Sequence, residues 1–278
     1  MIPAAFDYVR AGSPSEALAL LGEYGEDAKI LAGGHSLLPL MKLRLASPSI
    51  LIDVSKIREL SYIRDDGDHI AVGALTRHCE VQHSELLRAA APLVAHVAGV
   101  VGDPQVRHRG TIGGSIAHGD PASDLPAAAL AMGATMVISG PSGTREVPAQ
   151  EFFRDFFETA IGPDELLTEV RLPKTGKAGW SYQKFNLRAQ DWAIVGVAAV
   201  GARAGGGIAL VNMASTPIRA SAVEQAVAAG ASTSDAAGFS SEGLNPPSDL
   251  NASATYRRHL ARVLVRRALE EVNARDDA

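Results

Sequence analysis

Apolar positions recur along the chain with periods that change every ten residues or so, which predicts short strands and helices in succession. Phe6 to Arg10 alternates and predicts a strand; Ser13-Pro14-Ser15-Glu16 predicts a helix start, with Ser13 as cap, Pro14 in the first turn and Glu16 closing a capping box. Ala17, Leu20, Leu21 and Tyr24 give that helix one apolar face, and Gly25 ends it. Lys29 to Ala32 and Ile50 to Val54 predict buried strands, and Leu60 to Arg64 with His69 to Gly73 predicts a hairpin across Asp65-Asp66-Gly67-Asp68. One helix is expected over Glu85 to Val101, and another over Leu125 to Met132. Between them, Gly102 to Pro126 is dense in Gly, Pro, Asp, Ser and His and predicts a long polar loop, a feature that is usually functional.

A second hairpin is expected from Thr135 to Ser139 and Thr144 to Val147. Past a boundary near Leu172 to Lys177, Trp180 to Asn186, Ala193 to Arg203 and Ile208 to Asn212 predict three antiparallel strands, the last two joined by Gly205-Gly206-Gly207. Ser221 to Ala229 predicts a helix, Gly230 to Asn251 a surface excursion, and Tyr256 to Asn273 a closing helix. The arginines of that helix, Arg257, Arg258, Arg262, Arg266 and Arg267, fit a solvated face or a docking surface. No internal repeat is evident. The 278 residues suit two domains, or three small ones, and their composition suits a loop-rich α/β or α+β protein. The expected division is an N-terminal domain over 1–173, with parts at about 1–55 and 56–173, and a smaller α+β domain over 174–278.

Composition narrows the functional classes. The chain is 46% hydrophobic and 21% charged, enough apolar material for a packed core. Its net charge of −5 gives no basic excess for nucleic acid. Cys79 is the one cysteine, so the chain cannot supply the roughly four thiolates of an iron–sulfur cluster. The N-terminus shows no signal-peptide pattern, and no apolar run reaches the ~18 residues of a membrane span, which together point to the cytoplasm.

Two glycine motifs carry the candidate chemistry. Ala32-Gly33-Gly34-His35-Ser36, followed by Leu37, and Thr111-Ile112-Gly113-Gly114-Ser115 each place two glycines before a small polar residue. Glycine admits positive φ and close approach of a ligand, and successive amides can form an anion-binding nest. Two such loops suit the two sides of a diphosphate, or are simply tight turns. Neither matches G-x-G-x-x-G or G-x-x-x-x-G-K-S/T. Asp124, nine residues past Ser115, suits either a ribose hydroxyl or a helix start.

These motifs, with Leu37-Leu38-Pro39, Met41-Lys42-Leu43-Arg44, Arg109-Gly110, Gly119-Asp120-Pro121 and Ser123-Asp124, resemble the FAD-binding medium subunits of molybdenum hydroxylases of the carbon monoxide and xanthine dehydrogenase type. The resemblance runs from Ile2-Pro3 and Phe6-Asp7-Tyr8, through Asp103-Pro104-Gln105-Val106-Arg107, to Arg266-Arg267-Ala268, and is strongest to the carbon monoxide dehydrogenase branch. It implies a two-part FAD-binding domain of the vanillyl-alcohol-oxidase (PCMH) type followed by a C-terminal α+β domain. It implies non-covalent FAD, its diphosphate held by Ala32 to Ser36 with Leu37 adjoining, and by Thr111 to Ser115. Asp124 would lie near the nucleotide sugar, Leu167 against the cofactor, Lys184 at the flavin and Trp192 beside the isoalloxazine. Trp192 departs from the usual Tyr of that branch, and Ser115 stands where Asn is common.

The implied role is electron transfer. Iron–sulfur clusters of the 2Fe-2S kind on a small partner subunit would feed FAD, which passes electrons to NAD, a quinone or oxygen. The molybdenum cofactor would sit on a large subunit, in a dimer of heterotrimers. No acid–base dyad or nucleophile is required of this chain. Two other readings fit the residues: an autonomous flavin oxidase with FAD attached at His35, and a non-enzymatic α/β binding protein whose glycine motifs are turns. Only about 105 residues follow Pro173, few for the large substrate domain that such an oxidase usually carries.

Overall fold

The computed structural model describes residues 2–201 and 205–277. The end of the strand expected over Ala193 to Arg203 therefore lies outside the described residues. Three parallel strands open the chain, in the spatial order Asp7–Arg10, Ile50–Asp53, Ala28–Leu31. The middle strand is apolar along its first three residues because both of its edges are paired and both faces are covered. The helix Pro14–Tyr24, capped by Ser13, packs Ala17 and Leu21 against it.

The second layer is a five-stranded antiparallel sheet in the order Ile63–Asp65, His69–Gly73, Leu166–Pro173, Thr135–Gly140, Gly143–Pro148. Both expected hairpins are present, but the central strand Leu166–Pro173 is one the sequence pattern does not announce. Glu169 and Arg171 interrupt its apolar run, and its register shifts between Leu167 and Glu169. On the bulged edge the Thr168 hydroxyl donates to the Val137 carbonyl at 3.1 Å, and on the other edge Ala74 N donates to the Thr168 carbonyl at 2.9 Å, continuing the ladder with His69–Gly73.

Two helical expectations are corrected. Glu85 to Val101 is not one helix but two, Glu85–Ala90 and Pro92–Val100, because Pro92 has no N–H to continue the ladder and Ala91 leaves helical dihedrals at φ −141°, ψ 56°. The polar stretch 102–126 is not a continuous loop. It contains the helices Pro104–Arg107 and Ile112–His118 and the start of Asp124–Met132, the first two capped by Asp103 and Thr111.

The helix Asp124–Met132 is buried at all nine positions, with Ala at four of them. It lies between the five-stranded sheet and a C-terminal four-stranded antiparallel sheet, Trp180–Phe185, Val195–Val200, Ile208–Val211, Ile218–Arg219. Alanine is the side chain that fits a helix covered on both sides. Val195–Val200 is likewise buried throughout. Ala198 and Val200 face the core shared with this helix, and Val195, Val197 and Ala199 face the closing helix Ala254–Asp276. Among the described residues no helix is long and apolar enough to cross a membrane. The architecture is α+β in two domains.

Ala128→Leu should lower stability by about 1–3 kcal/mol through overpacking between the two sheets. A shift of the urea midpoint at constant slope checks this; an unchanged midpoint would mean the helix has room that its burial does not suggest.

Candidate functional site

The first glycine motif leaves the end of the strand Ala28–Leu31, which is an edge strand buried only at Ala28 and not the buried strand its apolar run suggests, and turns into the helix Leu37–Lys42. Gly34 takes the turn at φ +81°, a conformation that suits glycine. Gly33 has a different reason. A Cβ there would stand 2.3 Å from the Arg109 carbonyl oxygen and 2.9 Å from Gly110 Cα, so only glycine permits this backbone-on-backbone approach. Past the turn, Leu38 N and Leu40 N donate to the Gly34 and Ser36 carbonyls at 3.1 and 3.2 Å. The amides of Gly33, Gly34, His35 and Ser36 meet no protein acceptor among the described residues. Successive amide donors without an internal partner are an arrangement that can hold an anion. The His35 side chain is exposed.

The second motif is built differently, and the expectation of a matching open loop is corrected. Thr111 caps the helix Ile112–His118, and both glycines lie in its first turn. Ile112 N donates to Thr76 O at 3.0 Å, Gly113 N to Ala74 O at 2.9 Å, Gly114 N to Thr111 Oγ1 at 3.0 Å and Ser115 N to Thr111 O at 3.1 Å. A Cβ on Gly113 would lie 2.4 Å from the Ala74 Cβ. Gly113 is thus required by packing and its amide is already bonded. The two motifs meet through Arg109-Gly110, and Arg77 donates from its guanidinium to the same Arg109 carbonyl that covers Gly33. Burial, and then the neighbouring Arg109 charge, lower the Arg77 pKa. An anion at this junction would relieve that repulsion.

His78, next to Arg77, is the hidden member of the second motif. Its Nε2 pairs with Ser115 Oγ at 3.1 Å, while its buried Nδ1 has no partner among the described residues. Burial pushes its pKa down to about 4, so the ring is neutral. A lone histidine after a strand gives no sequence signal that it supports a serine thirty-seven positions later.

Asp124 and Lys184, expected at different parts of a nucleotide, lie together. Lys184 Nζ donates to Asp124 Oδ2 at 2.8 Å and to the Val100 carbonyl at 3.2 Å. The Tyr182 hydroxyl donates to the other Asp124 oxygen. Burial raises the Asp124 pKa, and Lys184 and Tyr182 pull it back; burial and the Asp124 charge raise the Tyr182 phenol well above its ordinary range. Tyr182 was the residue to find: two positions before Lys184 on a strand, it shares that face. Leu167 is buried beside the bulge of its strand. Trp192 is 56% exposed, in the turn between Trp180–Phe185 and Val195–Val200, so it is not core packing. The Ile194 N to Phe185 O bond at 2.8 Å closes that turn next to Lys184. Among the described residues no group of three or more His, Cys, Asp or Glu side chains could hold a metal ion.

Comparison with known proteins adds the family. Residues 4–175 match the model of the FAD binding domain in molybdopterin dehydrogenase, and residues 180–272 that of the CO dehydrogenase flavoprotein C-terminal domain. The carbon monoxide dehydrogenase medium chain of Hydrogenophaga pseudoflava is 41% identical, over 99% of each chain. The glyceraldehyde dehydrogenase medium chain of Sulfolobus acidocaldarius is 38% identical, over 98% of this chain and all of that one. A solved chain of the Hydrogenophaga pseudoflava carbon monoxide dehydrogenase superposes with TM-score 0.93 over 99% of each chain. One of quinoline 2-oxidoreductase from Pseudomonas putida superposes at 0.90 with 30% identity, over 99% of this chain and all of that one.

Lys184→Met should cost about 3–5 kcal/mol by stranding a buried carboxylate, and adding Asp124→Asn should restore most of it. A double-mutant cycle by urea unfolding checks this; additive costs would mean the pair is not coupled. A second expectation concerns pH. The unfolded chain takes up the His78 proton near pH 6.5 and the folded chain only near 4. Stability is therefore lost as pH falls through that window, by up to about 1.4 kcal/mol per pH unit. His78→Gln should flatten the slope between these values; an unchanged slope would mean the ring protonates in the native state.

Proposed function

The chain belongs to the FAD-binding flavoprotein family of the molybdopterin dehydrogenases, with FAD as its cofactor, and from that premise we propose that it is the electron-transfer subunit of a molybdenum hydroxylase. It is an oxidoreductase subunit, which sets aside the non-enzymatic reading, and its full-length kinship with medium chains stands against an autonomous oxidase. The partners we infer are a large molybdenum-binding subunit and a small iron–sulfur subunit, in a dimer of heterotrimers in the cytoplasm. A single cysteine agrees with this, since the clusters must reside on another chain. Bound FAD would take up single electrons from those clusters and pass them on in pairs to NAD, a quinone or oxygen.

The observation that carries the reading is the row of amides from Gly33 to Ser36 without internal acceptors. They fit one face of a diphosphate, with Ala32 and Leu37 flanking them and Arg77 and Arg109 supplying positive charge. The second motif, Thr111, Ile112, Gly113, Gly114 and Ser115, would contribute differently. Its packed glycines and the buried Thr111 cap hold the helix start in place, and the Ser115 side chain would meet the other face. Asp124, Tyr182 and Lys184 form a buried polar wall with a cation fixed in it, suited to negative charge on the reduced cofactor. Leu167 would supply an apolar contact and Trp192 an exposed indole beside the isoalloxazine.

Gly34→Val should weaken FAD binding by roughly tenfold or more, about 1.4 kcal/mol or above, while the apoprotein still unfolds cooperatively. Fluorescence titration of apoprotein with FAD checks this, and unchanged affinity would remove the seat from the first motif. A tag on this chain, expressed in its own host, should capture two further chains with molybdenum, iron and FAD. Recovery of this chain alone with FAD and no metal would contradict the hydroxylase assignment.

A further inference from the structure

The exposed Trp192 has little packing of its own to orient its ring, so its direction is inherited from the backbone that follows it. That backbone is held at consecutive residues. Asn212 Nδ2 donates to the Ala193 carbonyl at 3.0 Å, and the Arg257 guanidinium donates to the Ile194 carbonyl. Arg257, which the sequence suggests is on a solvated helix face, is fully buried. Its charge is met by Asp249 at 2.6 Å. Asp249 comes from the excursion after Gly230 and is preset there by the Asn251 and Ala252 amides, each at 2.9 Å. Asn212 is itself in the left-handed region at φ 60°, and its backbone N–H donates to the Pro121 carbonyl at 2.8 Å, three residues before Asp124.

A buried guanidinium is an expensive way to satisfy one carbonyl of a surface turn, because the charge must be stripped of water. Water could serve that carbonyl if the turn were free to move. What the arrangement adds is rigidity, at the two residues after the indole and along a line that ends beside the Asp124–Lys184 pair.

We propose that Asn212 and the Arg257–Asp249 pair are positioning residues that fix the Trp192 indole toward the cofactor site. The excursion over residues 230–251 then has a task, which is to deliver the counter-ion that lets Arg257 hold the turn from inside the core. This rests on the reading that Trp192 stands beside the isoalloxazine. Because removing Arg257 would empty the core, the test uses Asn212→Gly, which keeps the left-handed backbone and deletes only the amide, and Asp249→Asn, at a partly exposed site. Trp192→Ala is the reference and Asp249→Glu the conservative rescue.

Each variant is purified with FAD bound, and its flavin fluorescence and visible circular dichroism are compared with the wild type at measured occupancy. A nearby indole quenches flavin fluorescence, so Trp192→Ala should brighten it. Asn212→Gly and Asp249→Asn should move both signals most of the way toward the Trp192→Ala values with FAD retained, and Asp249→Glu should return them. If Trp192→Ala shifts the signals and the other two lower only the melting temperature, the positioning role is overturned while the place of Trp192 stands. If Trp192→Ala itself changes nothing, both the reading of Trp192 and the proposal fall.

Discussion

The closest approach in the molecule that bears on its chemistry is backbone on backbone: Gly33 against the Arg109 carbonyl, with no space for a Cβ. It ties the end of the three-stranded parallel layer to the segment between the helices Pro104–Arg107 and Ile112–His118. Leu60, Leu75 and Leu166 share a buried cluster with Ile50 and Ile52 of the parallel layer. Once Gly33 is fixed there, the chain must turn immediately, and Gly34 provides the positive φ for it. The amides from Gly33 to Ser36 then emerge beside Arg77 and Arg109 with nothing of the protein to bond. The two glycines thus answer different demands, Gly33 a close backbone contact and Gly34 a positive φ.

The second junction, between the FAD-binding part and the C-terminal sheet, is set by an alanine-rich helix buried on all sides and by one polar cluster at its start. Asp124 opens that helix, and Tyr182 and Lys184 reach it from the first strand of the next sheet. Three polar groups in a buried place are tolerated because each has a partner. The cluster fixes the register of one domain on the other and leaves a cation where the domains meet. Trp192 hangs from the same sheet, tied to the segment before Asp124 through Asn212. The Asp124–Tyr182–Lys184 cluster is therefore assembled from both domains.

Much of this was legible in the chain. Strands with clean alternation or short apolar runs, such as His69–Gly73 and Ile208–Val211, stand where periodicity puts them. The closing helix Ala254–Asp276 extends its expected bounds by two or three residues at each end. Features fixed by long-range contact were not legible. Leu166–Pro173 forms the middle of a sheet although its charges mimic an edge, because Glu169 is satisfied by Tyr62 and Arg171 on the sheet surface. Ile112–His118 reads as a loop because two glycines in a first turn signal flexibility, and only Ala74 against Gly113 and the Thr111 hydroxyl against Gly114 reveal why they are small. Arg257 reads as solvated because nothing nearby in sequence announces Asp249 or Ile194. Both motifs were recognisable as one pattern; that one offers amides and the other packs was not, since the difference lies in what Thr76 and Ala74 do across the sheet.

Amide hydrogen exchange distinguishes the roles of the two glycine motifs. The apoprotein is compared with the FAD-loaded protein at single-residue resolution. Gly33 to Ser36 should exchange rapidly without FAD and become strongly protected with it, while Ile112 to Ser115 should already be slow and change little. Protection that appears at Ile112 to Ser115 and not at Gly33 to Ser36 would contradict these roles.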